Sequence, residues 1–190
     1  MKMENVKKYA EVEVKVPEGV SVDVKDQSIT VNGKKGSISR TFTENFIHLA
    51  KKDDKILIQS KSENQPYKKQ LAMVGTLRAH VLNMFNGVTD GVTYRMRVVY
   101  SHFPMRVSVS GSKVLIDNFL GEKSPRITRI LEGVKVDVKG NEVTLTGHNK
   151  ENVAQTAANI EQTTRIKDRD PRVFQDGVYI IEKNGKLMVK

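Results

Sequence analysis

The residues that could carry out chemistry on a substrate form no catalytic set. The four histidines have no partner at a catalytic or metal-binding spacing: His48, His80, His102 and His148. The chain has no HExxH pair, Walker loop or dinucleotide fingerprint. Asp53 and Asp54 are adjacent in a turn-like stretch, and residues 110–112 (SGS) lack the strand–turn–helix context of a nucleophile elbow. The sequence therefore predicts no enzyme, no metal and no cofactor.

Residues 32–36 (NGKKG) are glycine-rich and basic, as a phosphate-binding loop would be. A phosphate loop opens a helix, whereas this segment leads from one strand-like run into another. A β-hairpin turn is therefore the favoured interpretation.

The overall charge favours a polyanionic partner. The chain has 190 residues, 32 Lys+Arg against 22 Asp+Glu, a net charge of +10 and a pI near 9.7. Such basicity is typical of nucleic-acid binding, although a well-solvated lysine surface would give the same composition.

The chain has no Cys, no apolar run long enough to span a bilayer and a charged N-terminus unlike a signal peptide.

The positive charge is concentrated on either side of residues 130–164, which have a net charge of −2. Residues 92–129 carry +5 and residues 165–190 carry +3. Arg126, beside Pro125, is expected in a loop, and with Arg129 it would fork onto phosphates. Residues 94–100 alternate, which predicts a strand with Arg95 and Arg97 on one face. The candidate nucleic-acid-binding residues are Arg95, Arg97, Arg106, Lys123, Arg126, Arg129, Arg165, Lys167, Arg169 and Arg172.

An internal repeat organises the chain. Residues 16–25 (VPEGVSVDVK) recur as residues 130–139 (ILEGVKVDVK), and the register continues at an offset of 114 to Ile29–Gly33 against Val143–Gly147. Each copy alternates apolar and polar residues around a short turn, which predicts a β-hairpin.

One amphipathic helix is predicted after each copy. Residues 65–85 place Leu71, Val74, Leu77, Val81, Leu82 and Phe85 on one stripe, with Gly87 as the stop. The second helix runs from an N-cap at Asn149 to about Thr164, with Val153, Ala157 and Ile160 at helical spacing.

These elements predict an α+β protein of two tandem duplicated domains, each an antiparallel β-sheet with one helix packed on a face. The boundary is expected in the glycine-containing stretch 86–91, which gives domains 1–87 and 88–190. One pseudo-symmetric domain is the alternative.

Four segments resemble the large-subunit ribosomal protein six family, called number nine in eukaryotes. They are residues 16–20 with 31–36, residues 83–91 with 94–104, residues 118–123, and a C-terminal signature. The signature consists of Gln162, Ile166, Arg169, Arg172, Phe174, residues 176–180 and Lys183, at the spacing of the archaeal and eukaryotic type. A eukaryotic source is the preferred interpretation.

The resemblance implies a non-enzymatic structural protein that needs no cofactor. It implies binding to large-subunit rRNA near the base of the sarcin–ricin stem, close to the translation-factor site, chiefly through the second domain. The implied partners are this rRNA and neighbouring large-subunit ribosomal proteins, with stalk-base proteins among the candidates, and no membrane or small-molecule substrate. The implied location is the cytoplasmic ribosome, or the nucleolus during assembly in a eukaryote.

The resemblance also suggests roles inside the signature. Asp176 and Gly177 are expected to set a turn, and Phe174 and Tyr179 are expected to pack in the fold in preference to stacking on bases. An alternative function remains open, in which the chain is an assembly or regulatory RNA- or protein-binding module away from the mature subunit.

Overall fold

The computed structural model describes residues 10–44, 46–60, 65–170 and 172–188. The chain forms two compact units, residues 1–90 and 91–190. The first unit contains β1 (Glu11–Lys15), β2 (Ser21–Lys25), β3 (Ser28–Gly33), β4 (Gly36–Thr41), β5 (Ile47–Lys52), β6 (Lys55–Ser60) and α1 (Tyr67–Thr89). The second contains β7 (Val92–Val99), β8 (Arg106–Ser110), β9 (Lys113–Asp117), β10 (Arg126–Arg129), β11 (Val134–Lys139), β12 (Glu142–Gly147), α2 (Lys150–Thr163), β13 (Gly177–Lys183) and β14 (Lys186–Leu187).

The first unit packs two three-stranded antiparallel sheets against α1. Their strand orders are β1-β6-β5 and β2-β3-β4. Alternate residues of the strands, such as Ile29, Val31 and Ile58, are fully buried with Val74 and Val81 of α1. The alternate residues of the strands therefore form one face of the core, and the residues at helical spacing along α1 form the other.

The second unit repeats this layout on a larger sheet. The strands form a three-stranded sheet, β10-β9-β8, and a five-stranded sheet, β11-β12-β7-β13-β14. Val153, Ala157 and Ile160 of α2 are fully buried against them, as the sequence predicted. The Asn149 side chain accepts a hydrogen bond from the Glu151 N–H, which confirms the predicted N-cap.

The duplication is confirmed, but the repeat register of 114 residues does not match the topology. In both units the first, fifth and sixth strands form one sheet, the second to fourth form the other, and the helix comes after the sixth strand. The equivalents of β2 and β3, which begin at Ser21 and Ser28, are therefore β8 and β9, which begin at Arg106 and Lys113, both 85 residues later. The two similar sequence segments are hairpins from different positions within the unit.

Both predicted hairpins form with the expected internal pairing. Val22 lies opposite Val31 in the first, and Val136 lies opposite Leu145 in the second. The segment 32–36 joins β3 to β4 through a tight turn, so the hairpin interpretation of this basic loop is also confirmed.

Helix α1 differs from its prediction in two ways. It continues through the buried Gly87 to Thr89, so the predicted stop at Gly87 is wrong. The first unit ends at residue 90, within the stretch 86–91. The chain leaves the helix at Gly91, whose φ of +81° suits a glycine at this position. Leu71 and Leu82 were assigned to the buried stripe but are exposed, and Met84 and Val88 are buried in addition.

Candidate nucleic-acid interface

The outer face of the β10-β9-β8 sheet collects positive charge. Val114 and Ile116 of β9 are fully buried, so Lys113, Leu115 and Asp117 point away from the core. Residues directly opposite one another share a face, which extends this surface across the sheet. We call it the small-sheet face; it consists of Arg106, Ser108, Ser110, Lys113, Leu115, Asp117, Ile127 and Arg129.

Three cations and one carboxylate lie on the small-sheet face. In the strand register, Lys113 lies opposite Arg129 at one end of the face. Arg106 lies opposite Asp117 at the other end, about 13 Å away along β8. Within the described part of the chain, none of these three cations forms an ion pair within 4 Å. Ile127 is 54% exposed between the two ends. Two predicted residues, Arg106 and Arg129, are thus joined by Lys113 on a surface suited to a phosphate backbone.

Arg95 and Arg97 lie where the alternation predicted, but among acidic neighbours. Both are exposed on β7, while Met96 and Val98 face the core. Arg95 Nη1 lies 3.5 Å from Glu182 Oε2, and Arg97 is opposite Glu142 in the register. This outer face of the five-stranded sheet also carries Lys135, Asp137 and Lys139 and is therefore close to charge balance.

Arg126 is not the exposed loop residue that the sequence suggested. It begins β10, and its guanidinium bonds both Glu122 carboxylate oxygens, at 2.8 and 2.6 Å. The same group donates to the Thr163 carbonyl at 2.7 Å and lies 4.1 Å from the centroid of the Phe119 ring. These contacts fasten β10 to the end of α2, so Arg126 supports the fold and has little capacity left for phosphate.

The Arg126 contacts also act on Glu122. The hydrogen bonds from the guanidinium hold the pKa of the Glu122 carboxyl below its ordinary value and outweigh the opposing effect of burial. Lys123 follows in the exposed turn after the 3-10 segment Phe119–Gly121. It stays a candidate cation at the edge of the second unit.

The remaining predicted cations lie in the connection between α2 and β13. Arg165, Lys167, Arg169 and Arg172 are all exposed. The Asp170 side chain accepts the Arg172 backbone N–H at 2.9 Å, and the guanidinium of Arg169 lies 4.7 Å from the Phe174 ring centroid. The connection is therefore held by contacts among its own residues, while its four cationic side chains stay exposed.

A cluster around Asp176 anchors this connection, and sequence reasoning missed it. The fully buried carboxylate accepts hydrogen bonds from the His102 Nδ1 at 2.7 Å and from the backbone N–H groups of Ser101 and His102 at 2.9 and 3.2 Å. The His102 ring stacks on Phe174 at 4.4 Å. His102 and Asp176 are 74 residues apart, and neither lies in a local motif that signals the other.

The Asp176 carboxylate is ionised in this setting. Burial raises the pKa of the group, but the hydrogen bonds from His102 and Ser101 together outweigh burial and leave the pKa below its ordinary value. Asp176 therefore fixes the 100–102 turn to the start of β13.

The described residues provide no candidate metal site beside these surfaces. Among the described residues, no group of three His, Asp or Glu side chains is placed to hold a metal ion. None of the helices in the described chain is both long enough and apolar enough to cross a membrane.

Two units of one topology, with three cations on one sheet face of the second, define a duplicated α+β protein. The chain belongs to the ribosomal protein L6 family. The family model for ribosomal protein L6 matches it twice, over residues 16–91 and 103–177. The two matches begin 87 residues apart, in agreement with the repeat seen in the topology and not with an offset of 114.

The chain is similar to archaeal proteins named large ribosomal subunit protein uL6. It is 49% identical to that of Methanobrevibacter smithii, over 90% of this chain and 94% of the relative. It is 46% identical to that of Methanococcus vannielii, over 93% and 95%, and 50% identical to that of Methanothrix thermoacetophila, over 88% and 94%.

These findings confirm the family resemblance and the archaeal type. The family is structural and non-enzymatic, so the prediction that the chain is not an enzyme is confirmed as well. The eukaryotic source preferred from the sequence gains no support from relatives that are archaeal.

Proposed function

We propose that this chain is a structural constituent of the large ribosomal subunit and binds large-subunit rRNA chiefly through its second unit. The observation that carries the proposal is the small-sheet face, which carries three cations, Arg106, Lys113 and Arg129, and a single carboxylate, that of Asp117. The names of the relatives and the family membership support the ribosomal setting.

Most binding energy is expected from phosphate contacts. An open sheet surface with cations at both ends suits the backbone of folded RNA, which proteins recognise largely by shape. In the proposal, five further exposed cations of the second unit add phosphate contacts: Lys123, Arg165, Lys167, Arg169 and Arg172. Arg95 and Arg97 contribute less, because carboxylates already neutralise their face.

The proposed binding place is near the base of the sarcin–ricin stem, close to the factor-binding site. Neighbouring large-subunit proteins, with those of the stalk base among them, are the proposed protein partners. The proposed location is the ribosome. Hydroxyl-radical footprinting of the chain on large-subunit rRNA tests this placement directly: protection must include the sarcin–ricin stem base, and protection confined to another rRNA domain rejects it.

The RNA face is tested by removing its charge. We expect Arg106→Ala, Lys113→Ala and Arg129→Ala together to lower the slope of log affinity against log salt for large-subunit rRNA by about 1 per cation. Lys135→Ala with Lys139→Ala is the matched control, because these exposed lysines lie on the charge-balanced face. An unchanged slope in the triple variant would show that the RNA binds a different surface.

The alternative is an assembly or regulatory module that works away from the mature subunit. Cofractionation separates the two functions, because such a module would follow precursor particles and not mature subunits. Its support is the weaker charge of the first unit, which carries a net of +4.

A further inference from the structure

A cleft of about 440 Å³ lies between the C-terminal half of α2 and the connection to β13. This volume falls within the range of about 300–1,000 Å³ typical of small-ligand sites. The cleft combines aromatic, amide and cationic groups, and we call it the aromatic cleft. The lining side chains that matter here are Glu161, Gln162, Arg165, Arg169, Phe174 and Tyr179.

The Tyr179 ring is held in place at the cleft by two features of its own segment. A Cβ atom on Gly177 would lie 2.9 Å from the Tyr179 Cζ and 3.0 Å from its Oη, so the ring occupies space that only a glycine leaves free. The Tyr179 hydroxyl also donates a hydrogen bond to the Gln175 carbonyl at 3.2 Å. Tyr179 as a whole is nevertheless 38% exposed.

This restraint makes Tyr179 a good stacking surface. A ring that is already fixed loses little conformational freedom when a flat partner settles on it. Phe174 is less suitable, because His102 stacks on its ring and the Arg169 guanidinium lies over it. The sequence favoured a packing role for Tyr179, and its exposure argues for a second role.

The charges around the ring suit an anionic partner. Arg165 and Arg169 line the cleft with one carboxylate, that of Glu161. Burial, with smaller contributions from Glu161 and Asp176, raises the pKa of the Tyr179 phenol, so the hydroxyl stays neutral at physiological pH. A flat apolar ring beside two guanidinium groups matches the base and phosphate of one nucleotide.

We propose that the aromatic cleft binds one unpaired RNA base, stacked on Tyr179, with the adjoining phosphate held by Arg165 and Arg169. This inference rests on the proposed RNA-binding function and adds a contact that duplex RNA cannot make. Every base has a flat face, so the site selects an unstacked nucleotide more strongly than a particular base.

The expected effect has a recognisable signature. Loss of one base–aromatic stack weakens binding by about 5- to 150-fold. Tyr179→Ala is therefore expected to weaken binding of single-stranded oligoadenylate by that factor, with no change in the salt slope. Arg165→Ala is expected to lower the slope by about 0.7, the value for one phosphate contact on a single strand.

A tryptophan at position 179 would report directly on the aromatic cleft, because the chain contains no other tryptophan. In the full-length Tyr179→Trp variant, single-stranded oligoadenylate is expected to quench the emission and an A·U duplex of equal length to leave it nearly unchanged. Tyr100→Trp is the matched control, because Tyr100 is 40% exposed in the same unit and does not line the cleft.

Two variants separate stacking from folding. Tyr179→Phe keeps the ring and removes the bond to Gln175, so it should retain most of the affinity that Tyr179→Ala loses. Equal single-strand affinity in Tyr179→Ala and the unmodified chain overturns the cleft proposal, as does equal quenching by single strand and duplex. Binding of large-subunit rRNA that persists in either case leaves the proposed function standing, and its absence in the unmodified chain rejects that function separately.

Discussion

The His102 imidazole and the Asp176 carboxylate are joined by a hydrogen bond of 2.7 Å across 74 residues of sequence. Asp176 also binds two backbone N–H groups of the 101–102 turn, so one buried carboxylate fixes two distant segments. No buried side-chain nitrogen or oxygen of the described residues lacks a hydrogen-bond partner. The connection that carries Arg169 and Arg172 is therefore positioned by this anchor.

The Asp176 anchor predicts a specific loss of stability in acid. The pKa of the carboxyl is lower in the folded chain, so its contribution is complete above the unfolded pKa of about 3.9 and is lost as the pH falls through the folded value. We expect Asp176→Asn to lower the free energy of unfolding by about 1–3 kcal/mol at pH 7. The difference from the unmodified chain should shrink below pH 4.

Urea unfolding between pH 2 and pH 7 measures this difference. Glu13 and Glu122 also have lowered pKa values and remain in both proteins, so their shared contribution cancels. Stability curves that stay parallel down to pH 2 would show that Asp176 is not the group responsible.

Arg126 should prove to be a stabilising residue. Arg126→Ala removes the bonds to Glu122 and Thr163, and we expect it to lower the unfolding free energy of the second unit by about 1–2 kcal/mol, allowing for partial solvent exposure. Arg129→Ala, at the exposed end of the same strand, should change it by less than about 0.5 kcal/mol. Chemical denaturation of both variants measures this difference. Equal stabilities would show that Arg126, like Arg129, is a surface cation that adds little to the stability of the fold.

Two glycines of the first unit should respond to alanine in opposite directions. A Cβ on Gly33 would lie 2.7 Å from Val88 Cγ2 and 2.8 Å from the Val88 carbonyl oxygen, so Gly33→Ala should cost about 1–3 kcal/mol. A Cβ on Gly75, inside α1, would meet nothing within 4 Å, so Gly75→Ala should add about 0.5–1 kcal/mol through helix propensity. Thermal unfolding of the pair tests the packing of α1 on β3, and a stabilising Gly33→Ala would contradict it.

Single substitutions should separate the two charged faces of the second unit. Lys113→Ala is expected to reduce the salt slope of rRNA binding by about 1, whereas Arg95→Ala should leave it nearly unchanged because Glu182 already lies 3.5 Å from its guanidinium. Filter binding at several salt concentrations measures both. A larger effect at Arg95 than at Lys113 would assign the RNA to the five-stranded sheet.

Local patterns in the sequence predicted the parts of the fold that local physics determines. The alternation of Val22 and Val24 with polar residues, and the spacing of Val153, Ala157 and Ile160, gave the hairpin and the second helix correctly. The placement of Arg95 and Arg97 on one face of β7 was also correct. Each depends only on the period of two or 3.6 residues.

The predictions that were wrong concern features that depend on tertiary contacts. Two hairpins from different positions share one pattern, so sequence similarity alone suggested the offset of 114. Leu71 and Leu82 fit a helical stripe by spacing, but the sheets cover a neighbouring sector of α1 and leave both exposed. Arg126 looked exposed because its partner carbonyl, that of Thr163, lies in a distant segment.

Fractionation of a native lysate on a sucrose gradient at moderate salt, with the chain followed by immunoblot, tests whether the protein resides in the large subunit. We expect co-migration with large subunits, whole ribosomes and polysomes, and release by high salt. A chain that stays at the top of the gradient, or follows only precursor particles, would contradict a resident structural role and favour the assembly module.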